Sequence, residues 1–182
     1  MALGATVHRF EVALSDVDRG VYETLDLRVA QHPSETVRYM LLRVFAYALS
    51  YEEGIAFSKG GLSDVDDPPL AVRDPTGLLL AWIDVGAPSA ERMHKASKAA
   101  RRVAVFTDKD VAHLRREASA RPIHKVEDIA VHRVEPALLA AVEAVVDRHT
   151  KLEITRTDGR LYVTTKSGAV LEGGIEETRL VD

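Results

Sequence analysis

Five side chains in this sequence are of the types, and near the spacings, that hydrolytic phosphate chemistry uses: Glu35, Asp66, Asp67, Asp84 and Lys95. Two apolar runs, Pro69 to Arg73 and Leu78 to Val85, flank Asp74-Pro75-Thr76-Gly77. Asp, Pro and Gly fall where a type I turn wants them, so the segment predicts a β-hairpin. Pairing the strands from the ends of that turn sets Asp67 opposite Asp84, and a register slip of one sets Asp66 there instead. Opposed residues share a face with Cβ atoms about 5 Å apart, where two carboxylates repel. A divalent cation with oxygen ligands relieves the repulsion, and so does a raised pKa on one partner. Asp84 also ends the run Leu-Leu-Leu-Ala-Trp-Ile, which suits a buried strand. The bland alternative is that Asp84 has passed the rim of the sheet and faces water or caps the next helix.

An acid opening one hairpin strand, an acid near the end of the other and a Glu on a preceding helix form the layout of PD-(D/E)xK nucleases. There the acids hold magnesium, which activates water and stabilises developing charge. Two positions depart from the motif: Asp67-Pro68 reverses the order, and Gly86 stands where the lysine is expected. Lys95, on the next helix, is the candidate replacement. The expected metal ligands are Glu35, Asp67 (or Asp66) and Asp84, for Mg or Mn. Lys95 would stabilise the transition state, and Arg92 and Lys98, at i−3 and i+3 from it, would hold phosphate. Arg38, three residues beyond Glu35, is near enough to neutralise it instead.

These residues need a frame. Strand-like alternation runs from Thr6 to Leu14 and from Leu25 to Val29, joined by the turn residues Ser15 to Gly20. Ser34 is expected to cap a helix running to Glu52, with Glu35 in its first turn and Met40, Leu41, Val44 and Phe45 on its buried stripe. After a short strand, Ile55 to Phe57, and a loop, Ser58 to Asp67, comes the hairpin. A basic helix, Ala90 to Arg102, a strand, Val103 to Thr107, and a helix capped by Asp108, to Ser119, come next. A strand at Ile129 to Val134, a helix from Pro136 to Arg148 and a three-stranded meander turning at Asp158-Gly159 complete the order. The expected fold is α/β (α+β), a mixed sheet flanked by helices with antiparallel hairpins at both ends of the chain.

Composition narrows the function classes. The chain has 182 residues and no cysteine, which removes thiolate nucleophiles and Cys-held zinc and suits a reducing cytoplasm. It has no signal-peptide pattern and no apolar run long enough to span a bilayer. The net charge is −4. Yet residues 88–125 carry ten Lys or Arg against Glu91, Asp108, Asp110 and Glu117, a local excess of +6 on an acidic remainder. Such a segment is either a phosphate-facing surface, with nucleic acid as partner, or two solvated helices.

The chain resembles the YaeQ family over essentially its whole length. The resemblance rests on Met1-Ala2-Leu3 with Ala5-Thr6, His32-Pro33-Ser34-Glu35-Thr36, Asp66-Asp67-Pro68, Trp82-Ile83-Asp84-Val85-Gly86 with Pro88, and Arg92 with Lys95-Ala96. It implies a bacterial protein with one YaeQ-like domain over 1–182 and a variant, restriction-endonuclease-like PD-(D/E)xK fold. It also implies a site at Glu35, Asp66 or Asp67, Asp84 and Lys95. Two activities are compatible with it: a Mg-dependent phosphodiesterase, or a non-catalytic nucleic-acid- or protein-binding module on the same fold.

Overall fold

The computed structural model describes residues 4–59 and 65–182. Met1-Ala2-Leu3 and most of the expected loop before Asp67 therefore lie outside the described residues. The chain divides into two compact units, each made from separated segments. One comprises residues up to Tyr51 with Val134–Ile175, the other Glu52–Arg133 with Glu176–Asp182.

The first unit begins with β1 (Thr6–Asp16) and β2 (Val21–Gln31), an antiparallel pair in continuous register from Thr6↔Gln31 to Asp16↔Val21. Strand β1 pairs in parallel with β8 (His149–Thr157), which continues antiparallel into β9 (Arg160–Thr165) and β10 (Val170–Arg179). The sequence contains no local signal for the β1–β8 contact, because it joins segments far apart in the chain. Alternation places Phe10, Val12, Leu14, Leu25, Leu27 and Val29 inside. Helix α1 (Val37–Leu49) packs on β1, β2 and α4 (Pro136–Glu143), with Met40, Leu41, Val44 and Phe45 fully buried.

Helix boundaries differ from expectation for chemical reasons. Thr36, not Ser34, caps α1, its hydroxyl accepting the Tyr39 N–H at 3.1 Å. The Ser34 hydroxyl is engaged with His32 Nδ1 at 2.7 Å, and Glu35 N–H donates to His32 O, so Pro33 to Glu35 form a turn before the helix. Helix α4 stops at Glu143 rather than Arg148 because β1 claims the backbone beyond it, with Arg9 N–H donating to Arg148 O at 2.9 Å.

In the second unit β3 (Ile55–Phe57), β4 (Leu70–Arg73) and β5 (Leu79–Val85) are antiparallel neighbours. Strand β5 then pairs in parallel with β6 (Arg102–Thr107), and β6 with β7 (Ala130–Val134). Each unit thus carries a mixed sheet, and the architecture is mixed α+β. Helices α2 (Ala90–Ala99) and α3 (Val111–Ala118) enclose a core of Trp82, Met93, Val105, Leu114, Ile129, Val131 and Leu180. Asp110, not Asp108, caps α3, accepting Ala112 N–H at 2.9 Å.

The hairpin forms as expected, with Trp82 and Ile83 in a buried strand, but its register differs. Leu70 faces Ile83 and Val72 faces Ala81, with a shift between Val72 and Arg73. The cause lies in the turn. Asp74 N–H bonds Leu78 O at 3.0 Å, and Asp74 Oδ1 accepts the N–H groups of Thr76 and Leu78. Leu78 is absorbed into the loop, and Asp67 does not come opposite Asp84.

Backbone requirements are sharp at one glycine. Gly54 has φ +92, and a Cβ there would stand 2.1 Å from the Arg73 carbonyl oxygen, at the β3–β4 seam. Gly77 has a similar φ of +90 with open space around it. Chemical denaturation of Gly77→Ala should show a loss of about 1 kcal/mol from strain alone. Gly54→Ala should lose at least about 2 kcal/mol, because the carbonyl must also move.

Candidate functional site

Asp84 lies near the C-terminal end of β5, 3% exposed, on the same face as Trp82 two residues earlier. Gly86, at φ +86, turns the chain out of the strand, and its N–H donates to Phe106 O at 2.8 Å. Ser89 then caps α2 by accepting Arg92 N–H at 3.2 Å. This short connection aims Arg92 back at the end of β5.

The Arg92 guanidinium organises the cluster. Its Nε–H is shared by both oxygens of Asp84 at 2.9 Å each. Its other nitrogens donate to Val65 O at 2.8 Å and Asp67 O at 3.3 Å. The same guanidinium stands 5.4 Å from the centroid of the Trp82 ring, a cation–π distance, while Trp82 Nε1–H donates to Asp84 Oδ2 at 2.9 Å. Arg92 therefore ties strand β5 to the segment carrying Asp66 and Asp67. It is fully engaged and has little left to offer a phosphate.

The neighbouring acids have their own partners. Asp67 accepts the Ser58 hydroxyl at 2.6 Å and has Arg73 at 3.5 Å. Asp66 is paired with Lys95, whose ammonium holds the Asp66 carboxyl below the usual carboxylate range. Asp66, Asp67, Asp84 and Lys95 thus gather around the start of α2, with three cations serving three carboxylates. Among the described residues no three His, Asp or Glu side chains form a group able to hold a metal ion.

Glu35 belongs to the first unit. Its side chain is fully buried, and Oε1 accepts Arg43 NH2 at 2.6 Å. Arg43 also donates to Ala30 O, and Gln31 Nε2–H donates to Glu35 O at 2.9 Å. His8 Nε2 meets Gln31 Oε1 at 3.0 Å, which extends the network to a buried histidine. Burial pushes the Glu35 carboxyl above its ordinary range, and Arg43 draws it part of the way back. Arg38 instead pairs with Glu143 at 3.1 Å.

Two roles have only a faint mark in the sequence. Arg43 interrupts the apolar run Leu41 to Ala46, and a cation on a buried helix face signals a buried anion. Arg92 lies eight residues beyond Asp84 across a Gly-Ala-Pro-Ser turn, a spacing that returns the first turn of a helix to its strand end.

Cations elsewhere in the second unit are also largely committed. Arg102 meets Glu52, Lys109 Asp108, Arg115 Asp182 and Arg121 Glu91. Lys98, Arg101, Arg116 and Lys125 are exposed and have no ion pair among the described residues. They are carried by adjoining segments: α2 touches α3, and His124 N–H donates to His94 Nδ1 on α2 at 3.1 Å. A groove of about 690 Å³, lined by Glu127, His132, Glu177, Arg179 and Asp182, has three acids and does not suit phosphate.

A family model described as "YaeQ protein" matches residues 1–172. The chain is 32% identical over 166 residues to an uncharacterized YaeQ protein of Escherichia coli (strain K12), covering 90% of this chain and 91% of that one. The crystal structure of a YaeQ protein from Pseudomonas syringae superposes with a TM-score of 0.83 at 31% identity, covering 95% of both chains. One from Xanthomonas axonopodis pv. citri gives 0.85 at 29% identity, over 96% of this chain and 98% of that one. No helix among the described residues is long and apolar enough to cross a membrane. Sequence and fold agree along nearly the full length, and the chain belongs to the YaeQ family.

Proposed function

We propose that this chain is a non-catalytic nucleic-acid-binding module built on a restriction-endonuclease-like, PD-(D/E)xK-type fold whose acid cluster is closed by arginine. The observation that carries this reading is the Arg92 guanidinium seated on both Asp84 oxygens. Mg²⁺ demands near-ideal octahedral geometry at about 2.0–2.1 Å and keeps several waters. The Asp84 side chain is 4% exposed, and its oxygens already take Arg92 and Trp82. Admitting a hydrated ion requires Arg92 to leave, with loss of charge-assisted bonds worth roughly 1.5–3 kcal/mol each. In this arrangement the residues do not fit the ion. Phosphate contact falls to Lys98, Arg101, Arg116 and Lys125, the cations of the basic segment 88–125 that have no ion pair among the described residues.

The competing reading is a Mg- or Mn-dependent phosphodiesterase with Glu35, Asp67 and Asp84 as ligands and Lys95 as the transition-state cation. The gathering of Asp66, Asp67, Asp84 and Lys95 at one helix start favours it.

Calorimetric titration separates the two. The binding module should show no saturable Mg²⁺ or Mn²⁺ binding that depends on Asp84. Asp84→Ala should lower stability by about 3 kcal/mol, because it strands Arg92 and the Trp82 indole N–H. An Asp84→Ala protein as stable as wild type, but deprived of divalent binding and of cleavage, would establish the phosphodiesterase.

Salt dependence reads the surface. Binding of labelled DNA and RNA oligonucleotides should weaken with salt at a logarithmic slope no steeper than about −4, set by four cations. Lys98→Ala and Arg101→Ala should each reduce that slope by about one, leaving the thermal melt unchanged. Absence of binding at low salt would refute the nucleic-acid assignment.

A further inference from the structure

Strand β2 is the outer strand of the first unit's sheet, eleven residues long, without proline. Its hydrogen-bonding polarity is set by its neighbours. Arg9 and Val17 direct their N–H groups at Arg148 O and Arg156 O, so the odd residues of β1 serve β8 and the even ones serve β2. The even residues of β1 face Glu23, Leu25, Leu27 and Val29. In an antiparallel ladder N–H and C=O of one residue point the same way. The main-chain groups of Thr24, Asp26, Arg28 and Ala30 therefore point away from β1, and the side chains of all four are exposed. Among the described residues the contact made to this edge is Arg43 NH2 on Ala30 O at 2.9 Å.

Natural sheets guard such an edge with charges that repel in any pairing, with proline or with a bulge. This edge carries one acid and one base placed symmetrically about Leu27. We propose that β2 is a self-association surface, pairing antiparallel with β2 of a second copy about a two-fold axis at Leu27. In that register Asp26 faces Arg28 of the partner subunit and Arg28 faces the partner subunit's Asp26, while Leu25 meets Val29 and Leu27 meets its own counterpart. A slip of two residues one way puts Asp26 on its own copy, and the other way puts Arg28 on its own copy. Like charges directly opposed are destabilising and opposite charges favourable, so one register is selected. The hydrogen-bonded pairs in it are the outward-pointing residues, as the ladder requires. The four central bonds, between Asp26 and Arg28 of the two copies, avoid the carbonyl that Arg43 holds. Arg28 has no ion pair among the described residues, and Asp26, 53% exposed, keeps its Arg9 contact while adding the new one. The interface is isologous and closes at two copies.

Charge reversal tests both the contact and its register. Analytical ultracentrifugation of the wild-type chain should show a monomer–dimer equilibrium. Arg28→Asp and Asp26→Lys should each weaken it by on the order of 10- to 100-fold, since each sets like charges across both pairs. Mixing the two variants should restore dimers, because every facing pair is then opposite in sign. Both positions are exposed, and unchanged far-UV circular dichroism confirms that the variants fold. A wild-type chain that stays monomeric up to its solubility limit overturns the proposal. So does a mixture that dimerises no better than its parts, which would place association on another surface or in another register.

Discussion

A carboxylate buried at the end of an apolar strand must find donors, and the second unit is arranged around that need. Leaving a charge buried and unpaired costs several kcal/mol, far more than a surface ion pair returns. Asp84 is 3% exposed. Trp82 shares its face by strand alternation, and its indole N–H is itself a buried donor needing an acceptor, so the two satisfy each other at 2.9 Å. The remaining demand falls on Arg92, and everything between them serves to deliver it: Gly86 at positive φ, the Ser89 cap and the first turn of α2. Arg92 in turn draws in the carbonyls of Val65 and Asp67. The acid cluster is thus a consequence of seating one carboxylate.

The same solution recurs in the first unit. Glu35 is buried against Arg43, and Asp16, fully buried, takes Arg19 N–H at 3.2 Å with Arg19 and Arg156 as its cations. Asp18, accepting the N–H groups of Asp158 and Gly159, fastens the β1–β2 turn to the tip of the β8–β9 hairpin. Arginine suits this work, because its planar fork satisfies several acceptors from one side chain. That use has an electrostatic consequence. The basic excess between Pro88 and Lys125 shrinks once Asp84, Asp66, Glu52 and Asp182 have each taken a cation from it. What the segment keeps, among the described residues, is a small set of cations without an ion pair rather than a field of ten.

Local chemistry makes the elements legible and leaves their pairing obscure. Period-two alternation identifies β1 and the core of β2, Asp-Gly identifies the β8–β9 hairpin, and helical spacing identifies the apolar stripe of α1. The β4–β5 hairpin is evident too, but its register is not, because Asp74 gathers three donors and draws Leu78 into the loop. Helix starts are ambiguous where two capping residues lie close together, as with Ser34 and Thr36 or Asp108 and Asp110. Competition for a side-chain oxygen is settled by neighbours that the sequence does not rank, such as the His32 ring at Ser34. Of the site, Asp66, Asp67, Asp84 and Lys95 are gathered near one helix start. Their neutralisation is hidden from the sequence, because a partner eight residues away, for Asp84 and Glu35 alike, has no short-range signature.

The division of the chain also bears on how these networks arise. Every side chain around Asp84, from Ser58 to Lys95, falls within the continuous segment Glu52–Arg133. Closing its contacts demands loops of tens of residues at most, and the entropic cost of closure grows only slowly with length. The first unit must instead join β1 to β8 across the whole intervening segment, as the His8 contact with Asp147, 139 residues away, makes plain. The acid–arginine cluster is in this sense a local property of the second unit, closed within its own continuous segment.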